Sequence, residues 1–223
     1  MASFDVHKFM ALDTTKTQDW DDATSLVLKV ENELKENDKI QDQNYRVQVM
    51  CQVSNVYRVI MGNAKTALSI AKEASESCRK KGSMFSSSKS IVKPLIEASA
   101  IVCVASCKEL LGDIKGAEKE LRRALKLLPS NARVDRARYR QNLANVIKKK
   151  GNLKEAKKLY MDVLEEFQSI FGKDAPNMYI AATLVNLGIC HIQLAEYHDA
   201  QKHMHQALEA FQNLHGKDTP HPH

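Results

Sequence analysis

From Tyr45 onward, apolar residues recur at the three- and four-residue spacing of amphipathic helices, broken at intervals by a glycine with a polar residue directly after it. Gly62 is followed by Ala67 and Ala74, Gly112 by Ala117 and Ala124, and Gly151 by Ala156 and Val163; Ala195 starts the same series with Ala200 and Ala207. Small residues seven apart lie two turns apart on one helix face, where they let a neighbouring helix approach closely. The pairs Gly62-Asn63, Gly112-Asp113 and Gly151-Asn152 each set a left-handed residue against a side chain able to cap the next helix. The pattern predicts helical hairpins with tight turns at these pairs. Upstream, Trp20 to Leu34 has helical spacing after an Asp19 cap, a shorter helix is expected around Val6 to Leu12, and Asn37 to Asn44 reads as a polar connection.

A longer phrase also repeats. Leu164-Glu-Glu-Phe-Gln-Ser-Ile-Phe-Gly-Lys-Asp-Ala-Pro176 returns 44 residues later as Leu208-Glu-Ala-Phe-Gln-Asn-Leu-His-Gly-Lys-Asp-Thr-Pro220, with 8 of 13 positions identical. In each copy a helix is expected to run on through Phe167 or Phe211, stop at Gly172 or Gly216, and be barred from continuing by the proline. Residues 77–90, which include Lys80-Lys81-Gly82 and Ser86 to Ser88, read as a flexible insertion before Pro94 opens the next helix. No strand pattern appears. The chain is expected to be all-α, built of antiparallel helix pairs.

These offsets resemble the tetratricopeptide repeat. The residues that carry the resemblance are Leu143-Ala144, Gly151, Ala156 and Tyr160; Leu187-Gly188, Ala200 and Ala207; and Val104-Ala105, Gly112, Ala117, Ala124 and Pro129. The unit around Gly62, with Ser54-Asn55, matches less closely, and only the second helix of a unit around Ala23 matches. The resemblance implies a right-handed superhelix, an α-solenoid, forming one domain over residues 1–223. Its repeats fall at about 48–81, 98–131, 137–176 and 181–220, after a partial helix pair in 1–44. The lengthened units ending in Gly-Lys-Asp-x-Pro are similar to those of kinesin light chains and related cargo-binding proteins.

Charge adds a polarity to the +6 total. Residues 1–44 hold five Lys/Arg against ten Asp/Glu, whereas residues 108–158 hold sixteen against six. Such segregation favours an acidic partner at the middle of the chain, or self-association. The absence of an apolar signal core near Met1 and of a long uncharged apolar run leads to the expectation of a cytoplasmic protein with no membrane partner. Five cysteines without C-x-x-C spacing are expected to be reduced thiols, with Cys103 and Cys107 sharing a helix face. His203 and His205 point apart on a helix, and His191, His198 and His203 converge only if packing brings them together, so no metal site is expected. His221 and His223 read as part of a frayed terminus. Catalytic and cofactor motifs are missing, so the chain is read as a non-enzyme without a cofactor.

In the family the first helix of each unit lines a concave groove. Carried over by register, the groove positions of one unit are Arg138, Gln141, Asn142, Asn145, Lys148 and Lys149. Those of the next are Ala182, Val185, Asn186, Ile189, Ile192 and Gln193. Asparagine offers a donor and an acceptor to an extended peptide backbone, and Arg138, Lys148 and Lys149 would draw an acidic group. A chaperone-tail clamp is not expected, because Gln141 stands where that site needs a lysine. Upstream, Val49, Val53, Val56 and Val59 with Gln52 and Ile60, then Ser99, Val102, Cys103, Ser106, Glu109 and Leu110, give a largely apolar surface. It could receive a partner helix, the chain's own N-terminal helix, or a second copy. The resulting expectation is a scaffold or adaptor that binds a protein or peptide. RNA binding through 108–158 is the weaker reading, since Tyr139 and nearby Tyr160 are the only rings there for base stacking. A third reading is homo-oligomer formation through an uncapped repeat end, because Pro220 stands where a further unit would open.

Overall fold

The computed structural model describes residues 9–10, 20–35, 42–79, 93–173 and 175–215. Among them the regular structure is helical throughout: α1 (Trp20–Lys35), α2 (Gln43–Val59), α3 (Ala64–Ser77), α4 (Pro94–Leu110), α5 (Ile114–Leu127), α6 (Arg133–Lys149), α7 (Leu153–Phe171), α8 (Met178–Gln193) and α9 (Tyr197–His215). Phe9 and Met10 are also helical; the rest of the short helix expected over 6–12 lies outside the described residues. So do the Asp19 cap, residues 80–90 of the expected insertion, the stop at Gly216 to Pro220, and His221 and His223. The chain divides into two compact units, Met1–Pro129 and Ser130–His223.

The hairpin turns follow from local chemistry. Gly62, Gly112 and Gly151 take φ of +63°, +82° and +92°, a region that costs an L-residue about 1–2 kcal/mol. Asn63 Oδ1 then accepts from the Thr66 amide at 3.1 Å, and Asp113 Oδ1 from the Gly116 amide at 2.9 Å. Asn152 departs from this pattern: it makes no such cap, and its Nδ2 donates instead to Glu155 at 3.4 Å. In the fourth turn Ala195 occupies the left-handed position at φ +60°, held by a bond from the Glu196 amide to the His191 carbonyl at 2.9 Å.

The small residues after each turn are core residues. Ala67, Ala74, Ala117, Ala124, Ala156 and Val163 have no exposed surface or almost none, and Ala200 and Ala207 are likewise buried. In the first unit α2 packs on α3, α3 on α4 and α4 on α5, with α1 laid against α2. Its core joins Phe9 and the α1 residues Leu26, Val27 and Val30 to Val47, Val49, Val53 and Val56 of α2. In the second unit α7 and α9 run 19 residues each, against 14 for α3 and α5. The extra turn of α7 carries Phe171, which stacks with Phe167 and with Tyr179 of α8 at centroid distances of 6.1 and 6.3 Å. α7 ends at Gly172, φ +102°, whose amide bonds the Gln168 carbonyl at 2.9 Å, as the repeated phrase predicts for its first copy.

Candidate functional site

In the second unit, α6 and α8 are the first helices of successive hairpins and touch directly. The junction between them is polar. Lys148 Nζ donates to Asn186 Oδ1 at 3.0 Å and lies 5.7 Å from the Tyr160 ring centroid. Asn186 Nδ2 in turn donates to the Ala182 carbonyl one turn back, at 3.1 Å. The lysine therefore ties the two helices while keeping its charge at the surface between them. At the other end of α6, the Arg138 guanidinium lies 5.5 Å over the Tyr179 ring and pairs with Asp135 at 3.2 Å. An arginine stacked on an aromatic face is oriented at little entropic cost.

The remaining expected groove residues divide by exposure. Arg138, Lys149 and Gln193 are exposed, and Asn142, Asn145, Lys148, Asn186 and Ile189 are half-buried. Gln141 is buried. Asn145 accepts a bond from the Tyr160 hydroxyl, which spends part of its capacity inside the α6–α7 hairpin. Tyr179 was not legible as part of this surface: it precedes the α8 register positions, and only packing brings its ring under Arg138.

In the first unit the residues of the expected apolar groove differ in exposure. Val49, Val53 and Val56 have no exposed surface, while Val59 is 42% exposed. The three valines share one core with Phe9, the apolar face of α1 and residues of α3 and α4. Cys103 is also nearly enclosed, whereas Leu110 is 53% exposed. The aromatic candidates for base stacking are enclosed too: Tyr139 is 4% exposed and Tyr160 not at all, so neither ring face is open to a base. Part of the positive charge in 108–158 is paired, with Lys108 on Glu120, Arg123 on Glu97 and Glu120, Arg140 on Asp162 and Glu166, and Lys157 on Glu196.

Packing does bring two histidines together. The buried His191 ring stacks on His203 at 5.0 Å, and its Nδ1 lies 2.6 Å from Glu196 Oε2. Lys157 Nζ holds both oxygens of Glu196 at 2.8 and 2.7 Å. That hydrogen bond, with His191 as a second partner, lowers the Glu196 carboxyl below its ordinary range. His203 is lowered chiefly by burial, against the opposing bond its Nδ1 makes to the Asp199 carbonyl. His191, Glu196 and Asp199 offer donor atoms within 4.8 Å of one another, enough to hold a cation in principle. Here the carboxylate already carries an ammonium, so the cluster serves as an ion-pair knot joining α7 to the α8–α9 turn. Its Glu196 stands where the other turns have Asn or Asp, and the longer side chain is what reaches both partners.

Comparison with known proteins adds the lineage. A tetratricopeptide repeat model matches twice, over residues 136–177 and 180–223. The matched residues make up less than half of the chain, and over them it is similar to the tetratricopeptide repeat. No curated protein matches the chain. Among solved structures, BtubC from P. vanneervenii is 19% identical and aligns over 96% of this chain and 77% of its own, with a TM-score of 0.64. A putative kinesin light chain from Podosopora anserina, of nearly identical tetratricopeptide-like repeats, is 13% identical over 95% of this chain and 93% of its own, at 0.62. PlcR of Bacillus thuringiensis, solved in complex with the peptide PapR7 and DNA, is 16% identical over 94% of this chain and 70% of its own, at 0.67. At these identities the likeness is one of fold: the chain is an all-α repeat solenoid. Among the described residues no helix is long and apolar enough to cross a membrane.

Proposed function

We propose that this tetratricopeptide repeat protein is a non-catalytic interaction scaffold that captures an acidic, extended segment of a partner protein along α6 and α8. The observation that carries the reading is the Lys148–Asn186 bond between adjacent first helices, with Arg138 poised over Tyr179 on the same two helices. Together they set two cations and several amide side chains along one polar strip. Carboxylates of an incoming peptide would pair with Arg138 and Lys148, and Asn142 and Asn186 would bond its backbone. That PlcR was solved with a bound peptide supports the reading by analogy of fold. The RNA reading is less supported, because the rings it needs are enclosed and some of its cations are paired.

The test is an array of acidic, neutral and basic peptides probed with the wild type and with Arg138→Glu/Lys148→Glu. Preferential capture of acidic peptides that disappears in the variant, at unchanged helicity, is the expected result. Equal capture by the two proteins would sink the assignment.

A further inference from the structure

The first unit holds a cavity of about 310 Å³ where α1, α2 and α3 come together. Each helix contributes residues about one turn apart on a single face: Glu31 and Leu34 of α1, Arg46, Met50 and Val53 of α2, and Ile70 and Glu73 of α3. Leu34, Met50 and Val53 are buried and Ile70 is half-buried, so the base of the cavity is apolar. The charged residues keep more surface, with Glu31 and Arg46 half-buried and Glu73 exposed. Such a volume is that of a small-molecule site, for which roughly 300–1,000 Å³ is usual.

The three charges are not equivalent. Arg46 is already committed, because its Nη2 donates to the Leu34 carbonyl in the last turn of α1 at 2.5 Å. A cation at that end of a helix is also held by the helix dipole. Glu31 accepts a bond from the Tyr57 hydroxyl at 3.0 Å. Burial, then the bond to Glu31, pushes that hydroxyl's pKa up, so it stays a neutral donor that orients the carboxylate without cancelling its charge. Among the described residues neither Glu31 nor Glu73 has an ion-pair partner. Two carboxylates against one engaged guanidinium leave the lining net negative. We propose that this cavity binds a small primary amine with an apolar body, its ammonium held by Glu31 and Glu73 and its chain laid against Met50 and Ile70. An ammonium has three donors, enough for both carboxylates. An alcohol of the same length leaves the two acids without a countercharge, and an organic anion meets a lining of its own sign.

The experiment titrates the full, isotope-labelled chain with octylamine, octanol and octanoate, following amide shifts by nuclear magnetic resonance and helicity by circular dichroism. Expected is saturable binding of octylamine, with shifts confined to α1, α2 and α3 and an affinity that falls as salt is added. Octanol and octanoate should bind at least about five-fold more weakly, and Glu73→Gln should weaken octylamine by about the same factor, the size of one partly exposed ion pair. Glu165→Gln, an exposed change in the second unit, should leave octylamine binding as it is. Equal binding of octanol, shifts spread over both units, or an octylamine affinity untouched by Glu73→Gln would overturn the assignment. So would a preference for N-acetyl-lysine amide over octylamine, which would make the occupant a partner's side chain. Should Glu31→Gln fold poorly, Glu73→Gln and the comparison of the three octyl probes decide the matter without it.

Discussion

The two units place different chemistry on the first helices of their hairpins. In α2 three of the expected groove positions, Val49, Val53 and Val56, lie in a core that also holds α1 residues and Phe9, while Val59 stays exposed. In α6 and α8 equivalent positions hold Arg138, Asn142, Lys148 and Asn186, which keep part of their surface; Lys148 bonds Asn186, and Arg138 lies over the Tyr179 ring. The second helices differ as well, being five residues longer in the second unit, and α7 ends in stacked aromatic rings. A shared repeat register therefore dictates where a side chain points. It does not dictate whether that side chain meets solvent, because exposure depends on what else packs there.

The sharpest way to break this contrast is to put a charge at one position in each unit. Val53→Asp buries a carboxylate without a partner, and urea unfolding should show a loss above about 4 kcal/mol. Asn142→Asp, half-exposed in α6, should change stability by less than about 0.5 kcal/mol. If both variants melt like the wild type, the first unit does not enclose Val53 in a core.

Next in size is Phe167→Ala. Phe167 is fully buried and stacks on Tyr179 at 5.2 Å, so the expected loss is about 3–4 kcal/mol, with the Tyr179 ring released as seen by near-ultraviolet dichroism. Ala195→Gly should act in the opposite direction, raising stability by about 0.5–1 kcal/mol. Glycine relieves the left-handed strain at φ +60° but loses more freedom on folding. Should Ala195→Gly destabilise instead, the turn owes its shape to the Lys157–Glu196–His191 knot more than to backbone preference. A double-mutant cycle on Lys148→Ala and Asn186→Ala should return a coupling of about 0.5–1 kcal/mol, and a value near zero would remove the bond from the α6–α8 surface.

The smallest expected effect is on pH. His203 has a lowered folded value, so between that value and the ordinary range the unfolded chain binds more protons. Its contribution is complete above about pH 6.5 and is lost as pH falls through the folded value. The ring is only partly buried and solvent screens it, so the change should stay below about 0.5 kcal/mol. His203→Gln should flatten that part of the profile.

Much of the local design is legible in the order of the residues. Gly62, Gly112 and Gly151 mark the turns because a left-handed residue next to a cap is a short-range requirement, met or failed within about five residues. The alanine ladder marks the packed faces for a similar reason, since close helix approach leaves room only for small side chains. The polar groove register is legible through resemblance, and its residues do lie on adjacent helices. What sequence could not carry is the fate of Val49, Val53 and Val56, the ring under Arg138, or the meeting of His191 with His203. Each depends on a residue distant in the chain whose position is set by packing.

By itself, then, the sequence determined the helices, their turns, the small residues of the hairpin contacts and the extra length of the second helices, all of which follow from interactions a few residues apart. Only the tertiary structure decided which of the expected groove positions are exposed, which cations are already paired, and that the His191 ring stacks on His203. Those outcomes follow from burial, and burial is a property of the packed neighbourhood and not of the residue.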